Sequence, residues 1–194
     1  MSGKESAKRG KLLFHRSLAF VKECAKINDA MQQISFCQTP LGAVSITVDE
    51  KALLELSFLD TPSEEIDFNK PSTGLLQAVK DQLMAYFLGK LQVFDLPMHP
   101  KGTEFQKKVW AELIKIPFGT TVTYREMSLR LGDEKCIRAA ASANGKNPIG
   151  LMIPCHRVIG TDGKLVGYAG GLWRKQYLLA HERELIPLGD GLLF

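Results

Sequence analysis

The sequence predicts an α/β domain, a small antiparallel sheet with one helix, followed by a mainly helical domain built around a helix-turn-helix. Three observations carry this reading. Short apolar runs dominate residues 34–59, then give way to apolar positions at helical spacing. The run Pro97-Met98-His99-Pro100-Lys101-Gly102 interrupts both patterns, because two prolines and a glycine resist helix and central strand alike. Beyond it, Thr103-Glu104-Phe105-Gln106 and Thr123-Tyr124-Arg125-Glu126 each have the form of a capping box that opens a helix.

The elements follow in order. Leu18, Val21 and Ala25 predict an early amphipathic helix over 17–31, preceded by a solvated basic tail that loosely resembles an organelle transit segment. Ile34–Gln38, Ala43–Val48 and Leu53–Leu59 read as strands of a meander. Thr39-Pro40-Leu41-Gly42 and Asp49-Glu50-Lys51 supply the turns. Thr73 is placed to cap a helix carrying Leu76, Val79, Leu83 and Phe87, with Gly89 as its stop, and a further strand is expected over Leu91–Leu96. The domains are therefore drawn as 1–33 (tail and helix), 34–100 (α/β) and 101–194 (helical).

In the second domain the first capping box opens a helix bearing Phe105, Val109 and Leu113, which ends at Ile116-Pro117-Phe118-Gly119. The second opens a short helix to Leu131. Gly132 breaks it, and Asp133 caps a partner helix running through Ile137-Arg138-Ala139-Ala140-Ala141 to about Asn144, which is helix-turn-helix spacing. A last helix, Leu172 to about Arg183, places Trp173, Tyr177 and Ala180 on one stripe, expected to pack into the core.

Composition is that of an ordinary globular chain: 194 residues, 45% apolar and 24% charged, with no run long enough for a membrane helix. The four cysteines form no Cys-x-x-Cys pair and no disulfide-dense framework, which points to a reducing, intracellular setting. Residues 1–100 hold 11 Lys/Arg against 12 Asp/Glu, whereas residues 101–194 hold 14 against 9. Positive charge thus gathers in the second domain. That suits a polyanion partner, although charge alone does not separate this from a solvated basic surface. The Ala139-Ala140-Ala141-Ser142-Ala143 run would allow a bulky partner close to the helix backbone, with Arg138 projecting beside it; tight helix packing is the alternative.

The chemistry concentrates in Ile153-Pro154-Cys155-His156-Arg157-Val158. An unperturbed cysteine is only about 3% thiolate at neutral pH, so an adjacent base and a fixed positive charge bear on its reactivity. By itself the pair is compatible with either a structural or a catalytic role.

Taken together, Phe105-Gln106-Lys107-Lys108-Val109-Trp110, Ile116-Pro117-Phe118-Gly119, Tyr124, Arg138-Ala139, Gly145-Lys146-Asn147-Pro148, the Cys155 motif, Gly167-Tyr168-Ala169-Gly170-Gly171 and Leu178-Leu179-Ala180-His181-Glu182 resemble the O6-alkylguanine-DNA alkyltransferases. The resemblance implies a ribonuclease H-like first domain and a winged-helix-like second one. It implies that Cys155 accepts the alkyl group of O6-alkylguanine, and of O4-alkylthymine, irreversibly and once per molecule. Glu182 would orient His156, which takes the thiol proton through a water, while Asn147 braces the segment. Base flipping would be required. Arg138 would fill the vacated stack, Tyr124 would push the adjacent phosphate and donate to guanine N3, and Ala139, Ala141 and Asn144 would complete the DNA-facing helix. Tyr168, Ala169, Gly170 and Val158 would line the pocket. The implied partner is double-stranded DNA approached through the minor groove, by a protein monomeric without DNA, in nucleus or cytoplasm according to source, with no cofactor.

Some family members bind zinc in the first domain, but the corresponding positions here are Asp49 and Leu54, and Cys24, Cys37, His15 and His99 are irregularly spaced. No metal is expected. Gly150 and Ala169 replace a proline and a serine of some members, which leaves the tolerance for bulky alkyl groups open. Two other classes compete: a non-catalytic alkyltransferase-like lesion-binding protein, which would lack the nucleophile that Cys155 supplies, and a cysteine hydrolase, for which adjacent Cys155 and His156 are poorly arranged.

Overall fold

The computed structural model describes residues 32–61 and 66–186. The expected helix over 17–31, together with His15 and Cys24, lies outside them. Strands β1 (Gln33–Thr39), β2 (Gly42–Val48) and β3 (Leu53–Phe58) form an antiparallel sheet in that order. The first turn is held by Thr39, whose hydroxyl donates to the Gly42 carbonyl at 2.6 Å and accepts from the Leu41 amide at 3.1 Å. In the second, Asp49 Oδ1 accepts from the amides of Lys51 and Ala52. Both are local side-chain turns of the kind their residue types favour.

Helix α1 (Gly74–Phe87) packs against β1 and β2 and buries Leu76, Val79, Leu83 and Tyr86. Two expectations change here. Tyr86 rather than Phe87 completes the buried face, and the Thr73 hydroxyl makes no capping bond although the residue stands at the N-cap. The strand expected over Leu91–Leu96 is absent. The Gln82 side chain instead takes the backbone of Asp95, donating to its carbonyl and accepting from its amide. Pairing resumes one step later as a parallel bridge between Leu53 and Met98.

Helices α2 (Glu104–Ile114) and α3 (Tyr124–Arg130) both open with the expected reciprocal capping boxes, Thr103 with Gln106 and Thr123 with Glu126. On α2 the buried residues are Val109, Trp110 and Leu113, whereas Phe105 is partly exposed. Trp110 replaces it because its indole donates to the Ala143 carbonyl at 2.9 Å, fixing α2 to the next helix. Asp133 caps a 3₁₀ turn (Glu134–Cys136) that runs into α4 (Ile137–Gly145). Strands β4 (Val122–Thr123) and β5 (Val158–Ile159), too short to be expected from pattern, pair in parallel and tie the start of α3 to the segment after Cys155.

Helix α5 (Leu172–Glu184) reverses the expected face. Trp173 and Tyr177 are exposed, while Arg174, Lys175, Leu178 and Glu182 point inward. Each inward charge has partners on segments far away in sequence, which is what makes burying it tolerable.

Candidate active site

The chain approaches Cys155 through a contorted segment. The free edge of β3 continues onto it: the Leu56 amide donates to the Pro148 carbonyl and the Gly150 amide to the Leu56 carbonyl, both at 2.9 Å. Leu151, buried, then adopts φ +69°, a left-handed conformation that an L-leucine takes only when its surroundings impose it. Asn147 braces the loop it precedes. Its Oδ1 accepts from the Ile149 amide at 3.0 Å, and its Nδ2 donates to the Ile153 carbonyl at 2.8 Å and to Cys155 Sγ at 3.2 Å.

Cys155 begins a 3₁₀ turn (Cys155–Arg157) and is only 5% exposed, yet it borders a cavity of about 200 Å³. Leu56, Ser57, Phe58, Asn144, Asn147, Gly150, Tyr168, Ala169 and Gly170 complete the wall. Burial pushes the thiol pKa up, and the Asn147 hydrogen bond and the Lys175 charge oppose it only in part. The resting group is therefore a thiol, and a nearby base is needed to make it nucleophilic.

The adjacent residue is the candidate for that base. His156 is fully buried, its Nε2 2.8 Å from Glu182 Oε1. A carboxylate can only accept, so Nε2 carries the proton and Nδ1, which has no hydrogen-bond partner, keeps its lone pair. Burial lowers the His156 pKa despite the Glu182 charge, so the ring is neutral at pH 7. Glu182 also accepts from the Tyr86 hydroxyl at 2.8 Å, the Gly119 amide at 2.9 Å, and Arg157 Nε and Nη2, each at 2.9 Å. Burial pushes this carboxyl up, but the hydrogen bonds and charges of His156 and Arg157 outweigh it and hold the group well below the usual carboxylate range. Gly119 is at φ +68°, where a Cβ would meet Ile186, so the amide reaches the carboxylate only through a glycine.

Around the cavity, Tyr124 is half-buried and its hydroxyl accepts from Asn144 Nδ2 at 3.1 Å. Arg138 and Ala139 are exposed on α4, and Ala141 is half-buried. Asn144, expected on the DNA-facing side, is instead 4% exposed and lines the cavity. It shares the buried face with Ala140, one helical turn before it, and with the adjacent Ala143, so its amide is drawn to Tyr124 and to the Cys155 carbonyl rather than to solvent. Val158, expected in the pocket, is fully buried behind it, and its carbonyl accepts from Lys175 Nζ at 2.6 Å. Tyr168, Ala169 and Gly170 line the cavity as expected.

Several participants were not anticipated: Tyr86, Gly119 and Lys175 among the buried polar groups, and Leu56, Ser57 and Phe58 in the cavity wall. Lys175 also donates to the Val166 carbonyl at 2.8 Å, and burial lowers its pKa to about 8. Arg157, whose fixed charge beside the Cys-His pair was expected to bear on the thiol, instead pairs directly with Glu182. Among the described residues no three His, Cys, Asp or Glu side chains converge as a cation cage, and no helix is long and apolar enough to cross a membrane.

Comparison with known proteins is consistent along both halves. Residues 34–100 match the model for the 6-O-methylguanine DNA methyltransferase ribonuclease-like domain, and residues 104–184 the model for the DNA binding domain of the same family. A methylated-DNA--protein-cysteine methyltransferase of Methanosarcina barkeri is 44% identical over 153 residues, covering 76% of this chain and 94% of that protein. One from Mycobacterium tuberculosis is 40% identical over 150 residues, 77% and 91% of the respective chains. Among solved structures, Mycobacterium tuberculosis O6-methylguanine methyltransferase superposes with a TM-score of 0.72 at 38% identity, over 81% of this chain and 96% of that one. The Mycobacterium tuberculosis OGT in complex with DNA gives 0.71 at 38% identity, over 80% and 95%.

Proposed function

Because the chain belongs to the 6-O-methylguanine DNA methyltransferase family, we propose that it repairs DNA by direct reversal, moving the alkyl group of O6-alkylguanine onto Cys155. The observation that carries this reading is a buried thiol that opens on a cavity while a neutral histidine, oriented by a carboxylate, stands behind it.

In the reaction, Cys155 Sγ bonds to the alkyl carbon as the bond from that carbon to O6 breaks, and the electron pair returns to the purine. The thiol proton passes through a water to His156 Nδ1, and Glu182 stabilises the imidazolium that results. Tyr124 donates to guanine N3 as negative charge develops. The thioether lacks a good leaving group, so each molecule acts once.

The target oxygen lies on the paired edge of a stacked base, so the nucleotide must turn outward. The exposure of Arg138 and Ala139 on α4, opposite the buried Ala140 and Ala143, supports approach of this helix to the minor groove with Arg138 filling the gap. Double-stranded DNA is thus the partner, and the protein works as a monomer until it binds. O4-alkylthymine, with its alkyl oxygen on the same base edge, is the second substrate.

Incubation with a duplex carrying O6-methylguanine, followed by intact-mass analysis and peptide mapping, tests this. One methyl increment per chain on Cys155, absent from Cys155→Ala, is expected. No increment, or one elsewhere, overturns the reading.

A further inference from the structure

The first domain is not a bystander to the pocket. Strand β3, whose free edge pairs with Pro148 and Gly150, delivers Leu56, Ser57 and Phe58 to the cavity that Cys155 borders. Phe58 is the bulkiest of these. Its ring packs so closely on the 167–171 loop that a Cβ built on Gly170 would lie 3.0 Å from its Cδ2.

Arg174 holds that ring in place. Its guanidinium stacks over Phe58, with Cζ 4.9 Å from the ring centroid, and over Trp173 at 4.6 Å. Its Nε donates to the Leu41 carbonyl at 2.9 Å, and Nη1 to the Gly170 carbonyl at 2.7 Å and to Asp60 at 2.8 Å. One side chain, 4% exposed, thereby joins the β1–β2 turn, the end of β3 and the pocket loop.

We propose that Phe58, clamped by Arg174, is the specificity wall that limits the size of the alkyl group accepted at Cys155. The proposal rests on the alkyl-transfer reading above. An apolar cavity of roughly 150 Å³ takes up a benzene ring, so about 200 Å³ beside the thiol holds a base edge and a small substituent. A second ring needs the space that Phe58 fills. At Gly150, which also lines the cavity, a Cβ would come within 3.3 Å of the Leu56 carbonyl, so the backbone there leaves no further room.

The test is competition in one tube between O6-benzylguanine and O6-methylguanine duplexes, with the two products on Cys155 separated by mass. The ratio of products cancels any loss of active protein. Phe58→Ala should raise the benzyl-to-methyl ratio by about tenfold or more, the scale on which hydrophobic pockets discriminate, and Phe58→Leu should raise it less. Arg174→Met should move the ratio in the same direction by releasing the ring. Ratios equal to wild type in the Phe58 variants overturn the wall, and Phe58→Leu decides alone if Phe58→Ala does not fold. Failure of the wild-type chain to take either group onto Cys155 would instead overturn the alkyl-transfer reading, and the wall with it.

Discussion

Glu182 shows how much a single residue can organise. It is fully buried, and hydrogen bonds from Tyr86, Gly119, His156 and Arg157 converge on its two oxygens. Glu182→Gln keeps the shape but removes the charge that Arg157 pairs with. Leaving a buried guanidinium without its anion typically costs about 3–5 kcal/mol, and denaturant melts should report a loss of that order. Methyl transfer in a single turnover should slow by at least about tenfold, because His156 loses the negative charge that stabilises its imidazolium. The pH profile belongs to the same pair. Burial lowers the His156 pKa below its ordinary 6.5, so the ring stays a competent base at neutrality. Single-turnover rates should therefore hold from pH 8 to 6.5 and fall only below that; an acid limb centred above pH 6.5 would mean that another group titrates.

Elements inherit their limits from local chemistry. The capping boxes of α2 and α3 were legible because every atom they use lies within four consecutive residues. Thr123→Ala should cost about 1 kcal/mol by thermal or chemical melting, the usual loss for a missing N-cap. Helix α4 carries the other test. Arg138→Ala should slow reaction with duplex O6-methylguanine more than with the free base, since only the duplex demands extrusion; equal losses would place Arg138 in a different role. Helix α5 was misread for a physical reason. Periodicity favours the stripe of large apolar residues, here Trp173 and Tyr177, whereas its inward charges are hydrogen-bonded by the backbone of Leu41, Val158 and Gly119, which lie 133, 17 and 63 residues away along the chain. Nothing local announces such partners. At the missing strand Leu91–Leu96 the Gln82 side chain of α1 takes both backbone groups of Asp95, a contact that strand periodicity does not announce.

At the scale of the molecule, the two halves share one site. Tyr86 and Phe58 come from the first half, and Cys155, His156 and Glu182 from the second, so stability and chemistry are linked through the same buried groups. His156 and Glu182 both have pKa values lower than in the unfolded chain, which therefore binds more protons in acid. Stability should begin to fall as pH drops through 6.5, where unfolded histidine protonates. It should fall further below 4.5, as unfolded Glu182 does. Melting temperatures from pH 8 to 3 would show this, and Glu182→Gln should flatten the lower part of the curve.

The sequence by itself determined the three-stranded meander, the principal helices, both capping boxes and the placing of Cys155 beside His156, because each depends on residues adjacent in the chain or on a motif of fixed spacing. Only the tertiary structure decided which face of α5 is buried, that Asn144 turns inward, and that β3 walls the cavity. Those outcomes depend on hydrogen-bond and ring partners brought together by folding, and a buried charge or an edge strand is stable only where such partners are found.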